Sequence, residues 1–262
     1  MPFGARSDVG TGEYDVRLSG EDHLAPVGKI LVEVREMTLK IQADHQDGAA
    51  SEGRPFEWAL GEAVHTLAPK VREHVLQPPG SEVTYRGRMR VWRDAGWRWR
   101  IAGWLLRQGV PARTMFPETG EDVEFEMRHR VESHSDGSLS MTWIRTFHFA
   151  RVRRRFDALM RFHDDRRAVV DWFGGLGLLQ VELSPEVVDG AIVVTSGREW
   201  LRLGPLRIPI PGCFQGRPHV REWQEPDGTL RIRVAIHNPI LGQFFGYEGS
   251  YLRAGGAVPG AG

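Results

Sequence analysis

The sequence has 262 residues, of which 41% are hydrophobic and 26% charged, so it can fill a sizeable core and is not intrinsically disordered. Its 34 basic and 34 acidic residues cancel, which argues against a nucleic-acid partner held by a strongly basic face. A single cysteine, Cys213, rules out an internal disulfide; no cleavable apolar leader follows Met1, and no apolar run reaches about 18 residues. The expectation is a soluble, cytoplasmic chain without a membrane span. Among the basic residues only Lys29, Lys40 and Lys70 are lysines. That bias reflects the coding of a GC-rich bacterial genome as readily as arginine-specific chemistry.

Residues 1–22, rich in Gly, Asp and Ser, carry no sustained period and read as a flexible tail, as does the Gly/Ala/Pro stretch 255–262. Between Ile30 and Ile41 helix and strand patterns compete, and 43–55 reads as a polar loop. Phe56 to Leu76 is the clearest helix, since Leu60, Val64, Leu67, Val71 and Val75 recur at spacings of three and four; Pro69 predicts a kink or two short helices meeting near Leu67. Beyond Gly80 the period becomes that of strands. Val83, Tyr85, Met89 and Val91 alternate with Thr84, Arg86, Arg88 and Arg90, and Trp97, Trp99, Ile101 and Leu105 are taken as a continuation.

The alternation is cleanest from Val123 to Ser133, and Asp136-Gly137 turns it into a hairpin partner from Leu139 to Phe149. Further strands are expected at 156–162, 168–173, 178–183, 191–195, 200–203, 220–223, 230–237 and 247–252, separated by turns such as Gly174-Gly175, Asp189-Gly190 and Asp227-Gly228. Ten to twelve short strands in sequence imply an antiparallel meander, and so many would leave exposed edges unless the sheet curls and closes. The predicted fold is therefore mainly β: a barrel or curved half-barrel over residues 23–254, with one N-terminal helix packed against it. A helix-grip α+β fold ranks second, because Pro209, Pro211, Pro226 and Pro239 break the long C-terminal helix it requires.

Cofactor and catalytic signatures such as G-x-G-x-x-G, G-x-x-x-x-G-K, H-E-x-x-H, C-x-x-C and G-x-S-x-G are absent, so no nucleotide cofactor or metal is expected. Cys213, between Gly212 and Phe214, reads as a packing residue. The informative positions are polar residues on faces that should be apolar. Arg145 falls between Trp143 and Phe147 on the inward side, where a guanidinium needs an anion or carbonyl acceptors. His129 stands in the same relation to Met127 and Val131, Asp171 to Val169 and Phe173, and Glu222 to Val220. Either these four converge on a ligand's polar end and perform acid–base work, or they form a structural ion pair tethering two strands.

Inward aromatic residues, among them Trp99, Phe125, Trp143, Phe147 and Phe149, suit the wall of a cavity for a small apolar or amphiphilic molecule, and more than eight strands favour such a cavity. A cyclase, isomerase or hydrolase using the same space is the alternative, with Asp171 or Glu222 as acid or base and Arg145 facing negative charge. A third reading makes 201–214 and 240–245 a protein-interaction surface, and the apolar stretch from Pro239 to Gly246 either a lid or core. Oligomeric state is left open.

The second half resembles a bacterial family known as domain of unknown function 4166. The residues that carry the resemblance are Trp143-Ile144-Arg145-Thr146-Phe147, Val170-Asp171-Trp172-Phe173-Gly174, Leu203-Gly204-Pro205-Leu206, Arg221-Glu222, and Pro239-Ile240-Leu241-Gly242 leading into Tyr247-Glu248-Gly249-Ser250-Tyr251. The resemblance spans roughly Leu67 to Arg253 and supports Arg145, Asp171, Glu222 and Tyr247 as candidate site positions. The family pattern carries glutamate where this chain has Asp171, which keeps the charge and moves it closer to the backbone.

Overall fold

In a computed structural model the described residues are 54–93, 99–163, 168–175, 177–203 and 205–255. The tail 1–22, the ambiguous stretch 30–41, the polar loop 43–53 and residues 256–262 lie outside them.

Two short helices open the described chain, α1 (Pro55–Leu60) and α2 (Pro69–Val75), joined by a 3-10 turn at Gly61–Thr66. Each begins with a proline, whose fixed φ suits the first helical turn and whose missing N–H has no partner to lose there. The predicted interruption near Leu67 is thus realised as two helices. They bury Phe56 from α1 and Val71, His74 and Val75 from α2.

Strand β1 (Glu82–Trp92) then leads into α3 (Trp99–Ala112), followed by β2 (Gly120–Ser133), β3 (Leu139–His148), β4 (Arg153–His163), β5 (Ala168–Phe173), β6 (Leu179–Val188), β7 (Ala191–Leu203), β8 (Leu206–Pro209), β9 (Arg217–Gln224), β10 (Leu230–Asn238) and β11 (Gly242–Arg253). Successive strands pair antiparallel, β1 pairs with β11, and β6 pairs with β7, so ten strands close on themselves; β8 hangs on β7 outside the ring. Closure removes the edges that so long a meander would expose. At the β1–β11 seam Gly87 and Gly249 leave no room for a Cβ, which would run into the backbone at Ser250 and Arg88 respectively. Tight turns place Gly137, Gly174, Gly190 and Gly228 at positive φ, as their sequence contexts predict.

Strand alternation partitions the side chains. On β10, Leu230, Ile232, Val234 and Ile236 are buried while Arg231 and Arg233 face out. The cationic outer face of β1 meets acidic neighbours on β2, through Arg86–Glu126 at 3.3 Å, Arg88–Asp122 at 3.2 Å and Arg90–Glu121 at 2.9 Å, and Arg130 of β2 reaches back to Glu82 of β1 at 2.8 Å. Arginine abundance is in this region a matter of outward cross-strand pairing.

Three expectations are corrected and one alternative is decided. Residues 99–112 form helix α3, not a strand: Ala102 and Leu106 are buried at a spacing of four, whereas Ile101 and Leu105, placed on a strand face by alternation, are exposed. The separate strands at 191–195 and 200–203 are one, β7, running through Gly197 opposite a register shift between Val181 and Leu183. Of the alternatives for Pro239 to Gly246 the core reading holds in part: the stretch is the β10–β11 turn and the start of β11, with Phe244 and Phe245 buried and Ile240 exposed. Cys213 is exposed and does not pack in the core.

The helices cap the two mouths. Antiparallel reversal places α1 and α2 at the mouth formed by the ends of β4, β9 and β11, where Trp58 stacks on Phe162 and the backbone N–H of Lys70 donates to Gln224 Oε1 at 2.8 Å. Helix α3 lies at the opposite mouth. There Gly175 N–H donates to Ala112 O at 2.8 Å, and Phe116, following the helix, packs on Phe147, Phe149 and Phe245.

Candidate functional site

Between the caps lies a cavity of about 40 Å³, lined by Trp143 and Arg145 of β3, Asp171 and Phe173 of β5, Glu222 of β9 and Phe56 of α1 among others. Space for one water needs roughly 10–15 Å³ by the same measure, so the cavity holds about three. The cavity expected from the strand count is present among the described residues, and it is small. Phe56 and His74 from the cap, together with Phe156, Met160 and the core rings, fill most of the interior.

Arg145 is 4% exposed. Its Nε donates to Phe156 O at 3.2 Å and its Nη1 to Tyr247 Oη at 2.9 Å, and the guanidinium stands 4.1 Å from the Phe156 ring centroid. Among the described residues no carboxylate lies within ion-pairing distance of it. Tyr247 is fully buried and does not line the cavity; it holds Arg145 from behind.

Asp171 is 3% exposed, with one carboxylate oxygen, Oδ1, lacking a hydrogen-bond partner among the described residues. Burial pushes its pKa up from 3.8 to about 8, against the opposing pull of Arg145 and of the backbone at Leu159. At neutral pH the carboxyl is therefore mainly protonated, a neutral donor beside a cationic guanidinium.

The third group is a pair. His74 Nδ1 lies 2.7 Å from Glu222 Oε1, with both side chains almost fully buried. The second atoms, His74 Nε2 and Glu222 Oε2, have no partner among the described residues. Trp143 stacks on the His74 ring at 5.2 Å, Tyr85 meets it edge-on at 4.8 Å and His129 at 5.1 Å. Burial and Glu222 hold the Tyr251 hydroxyl well above its usual range, and burial, with Glu222, raises Tyr85 as well.

Four of the predicted residues, Arg145, Asp171, Glu222 and Trp143, thus meet at one cavity. His129 is wholly buried beside His74, with neither ring nitrogen bonded among the described residues; burial, and then His74, keep it well below 6.5, but it does not line the cavity. Phe125 and Phe147 pack against each other and Tyr247 as core, away from the cavity. Trp99 begins α3, outside the barrel wall. His74 is the residue that sequence reasoning missed. Its signal was available: on a helix whose buried stripe includes Val71 and Val75, position 74 falls on the same face.

The arrangement defines a class: a closed up-and-down β-barrel whose polar groups are sealed inside it and not arrayed at an open mouth. The chain belongs to the family described as domain of unknown function 4166 (DUF4166), whose model matches residues 67–251. It is 33% identical over 189 residues to an uncharacterised protein of Bacillus subtilis, YndH, an alignment covering 71% of this chain and 91% of that relative. The matched segment includes β1 to β11 up to Tyr251, the cavity's polar side chains Arg145, Asp171 and Glu222, and His74, which pairs with Glu222.

Proposed function

We propose that the barrel binds a small amphiphilic molecule with an anionic end, held at Arg145 with its apolar part along the Phe56 and Trp143 side. The observation that carries this reading is a buried guanidinium bonded only to neutral oxygens, with a mainly protonated Asp171 as its cavity neighbour. A buried cation without a counter-ion costs several kcal/mol, and an anionic ligand group supplies the missing charge. The free space of about 40 Å³ suits a carboxylate-sized head. The ligand's body requires Phe56 to move, and that residue belongs to a six-residue helix with no side-chain N-cap. A reducing cytoplasm suits a chain with one exposed cysteine.

Native mass spectrometry of the protein purified from its own host tests this. A co-purifying anionic small molecule is expected, lost in Arg145→Met while the melting temperature stays level or rises, since an apolar residue of similar length relieves the uncompensated charge. A ligand-free wild type, or a variant that collapses while retaining its ligand, overturns the reading.

An enzyme using the same cavity is favoured by a separate observation. Glu222, bonded to His74, and Asp171, a carboxyl with a raised pKa, line one space. In an isomerase, cyclase or hydrolase His74 would accept a proton and Asp171 supply one, with no cofactor required. Turnover of the co-purified molecule that is lost in His74→Gln but not in His129→Gln would establish it.

A further inference from the structure

The two mouths of the barrel differ in a way the cavity does not explain. Antiparallel reversal puts five connections at the α3 mouth: 93–119, 149–152, 174–178, 204–216 and 239–241. Nine of the eleven exposed large hydrophobic side chains among the described residues belong to these connections or to the β7–β8 hairpin that projects beside them, including Ile101, Trp104, Leu105, Leu206, Phe214 and Ile240. They come from three connections distant in sequence, so the clustering arises from the fold and is not a single sticky segment. Singly scattered apolar residues need no explanation; a set gathered at one end does.

Charge follows the same axis. The described parts of those five connections carry Arg93, Arg100, Arg107, Arg113, Arg151 and Arg207 against one acidic residue, Glu118, which is paired with Arg154 at 2.6 Å. The strand-joining turns described at the opposite mouth carry Asp136, Asp189, Glu225 and Asp227 and no lysine or arginine. On the barrel's flank the β1 arginines are matched by β2 carboxylates, whereas Arg100, Arg107 and Arg151 have no ion-pair partner among the described residues. Among the described residues the α3 mouth therefore carries a cationic excess that the opposite mouth lacks, where Arg54, Lys70 and Arg72 of the cap are balanced by Glu57, Glu62 and Glu73.

Helix α3 shows the pattern at close range. Its inner face buries Ala102 and Leu106, and its outer face exposes Ile101, Trp104 and Leu105 with Arg100 and Arg107 beside them and no acidic residue anywhere in the helix. Aliphatic residues with an amphipathic tryptophan, flanked by unpaired arginines, match the lipid headgroup boundary: rings and aliphatics enter the acyl region while guanidinium groups meet phosphates. No helix among the described residues is long and apolar enough to cross a membrane, so the contact is with the surface.

We propose that the α3 mouth docks on an anionic lipid surface, with Ile101, Trp104 and Leu105 at the bilayer interface and Arg100 and Arg107 on lipid phosphates. The charge complementarity singles out lipid over a second copy of this chain, since two identical cationic mouths repel. The proposal does not depend on the cavity reading, and Arg145→Met, which tests that reading, is expected to leave docking unchanged.

Co-flotation of the full chain with vesicles decides the matter. Binding is expected to vesicles of mixed phosphatidylglycerol and phosphatidylcholine, to be weak on phosphatidylcholine alone, and to fall as salt is raised. Arg100→Gln and Arg107→Gln should each lower partitioning about fivefold, and Trp104→Ser about tenfold. Trp58→Ser, an exposed tryptophan at the opposite mouth, should change nothing. All four positions are solvent-exposed or α3 surface sites, so the variants are expected to fold. Equal flotation with both vesicle types, no flotation at low salt, or a dimer that buries Trp104 in place of vesicle binding overturns the proposal.

Discussion

The outer face of β1 and β2 and the interior around Trp143 use the same residue types to opposite ends. Outside, Arg130 lies 2.8 Å from Glu82 and Arg90 2.9 Å from Glu121, in water that solvates both partners whether or not they meet. Such pairs contribute little, because a high dielectric and lost side-chain entropy offset the attraction. Inside, Arg145 has neutral partners, Asp171 holds its proton, and His74 and Glu222 pair with each other out of water. Removing these groups from water costs several kcal/mol each, and nothing in the fold requires them, since apolar residues of similar size would seal the barrel better. The difference teaches that ion pairs on this protein's flank contribute little either way, whereas the ionisable groups in its interior stand against stability.

The sharpest way to break that contrast is to titrate it. Asp171 has a folded pKa of about 8 against 3.8 for the free side chain. Below pH 3.8 the group is protonated in both states and folding costs nothing extra. Between 3.8 and 8 the unfolded chain ionises while the folded one keeps its proton, so stability falls as pH rises; above 8 the loss is complete. The full loss is of order 5 kcal/mol. Asp171→Asn removes the titration. Urea midpoints measured from pH 4 to 9 should show the variant level with the wild type at pH 4 and clearly more stable at pH 8. Parallel curves would mean that Asp171 is solvated and that the interior is not the hostile medium described.

The His74–Glu222 pair sharpens the contrast from another side. Glu222→Leu leaves a buried imidazole without its partner and should cost roughly 3–5 kcal/mol in thermal or urea unfolding. Adding His74→Leu should restore much of that loss, because two apolar residues then replace two polar ones. If the double variant stays as destabilised as Glu222→Leu alone, the pair is a stabilising tether and its place in the site falls away.

How much of this was legible from the residues differs between the two regions. Strand alternation shows Arg145 and Asp171 as misplaced on inward faces, because a period of two assigns a face to every position, and both reach the cavity as that pattern predicts. Glu222 was recovered the same way through Val220. His74 escaped because its helix was read for its hydrophobic members alone, although 71, 74 and 75 share a face. Trp99 to Leu105 misled because tryptophans spaced two apart mimic a strand; the step of four from Ile101 to Leu105 is the helical signal, and it was outweighed. Cavity size was illegible in principle. It depends on how far Phe56 and the α2 face intrude into the barrel, a tertiary fact that strand count does not contain.

The smallest expected effect belongs to the flank, and it is the control on which the comparison rests. Arg86 and Glu126, directly opposed across β1 and β2 at 3.3 Å, have side chains 67% and 30% exposed. A double-mutant cycle with Arg86→Ala and Glu126→Ala should return a coupling of about 0.2–1 kcal/mol, and it should fade in about 1 M salt, where the screening length shrinks to roughly 3 Å. The His74–Glu222 coupling, sealed from ions, should keep its size under the same salt. If instead both couplings respond to salt alike, solvent reaches the interior pair, the penalty for burying those charges is far smaller than argued, and the case for a ligand to relieve Arg145 weakens with it.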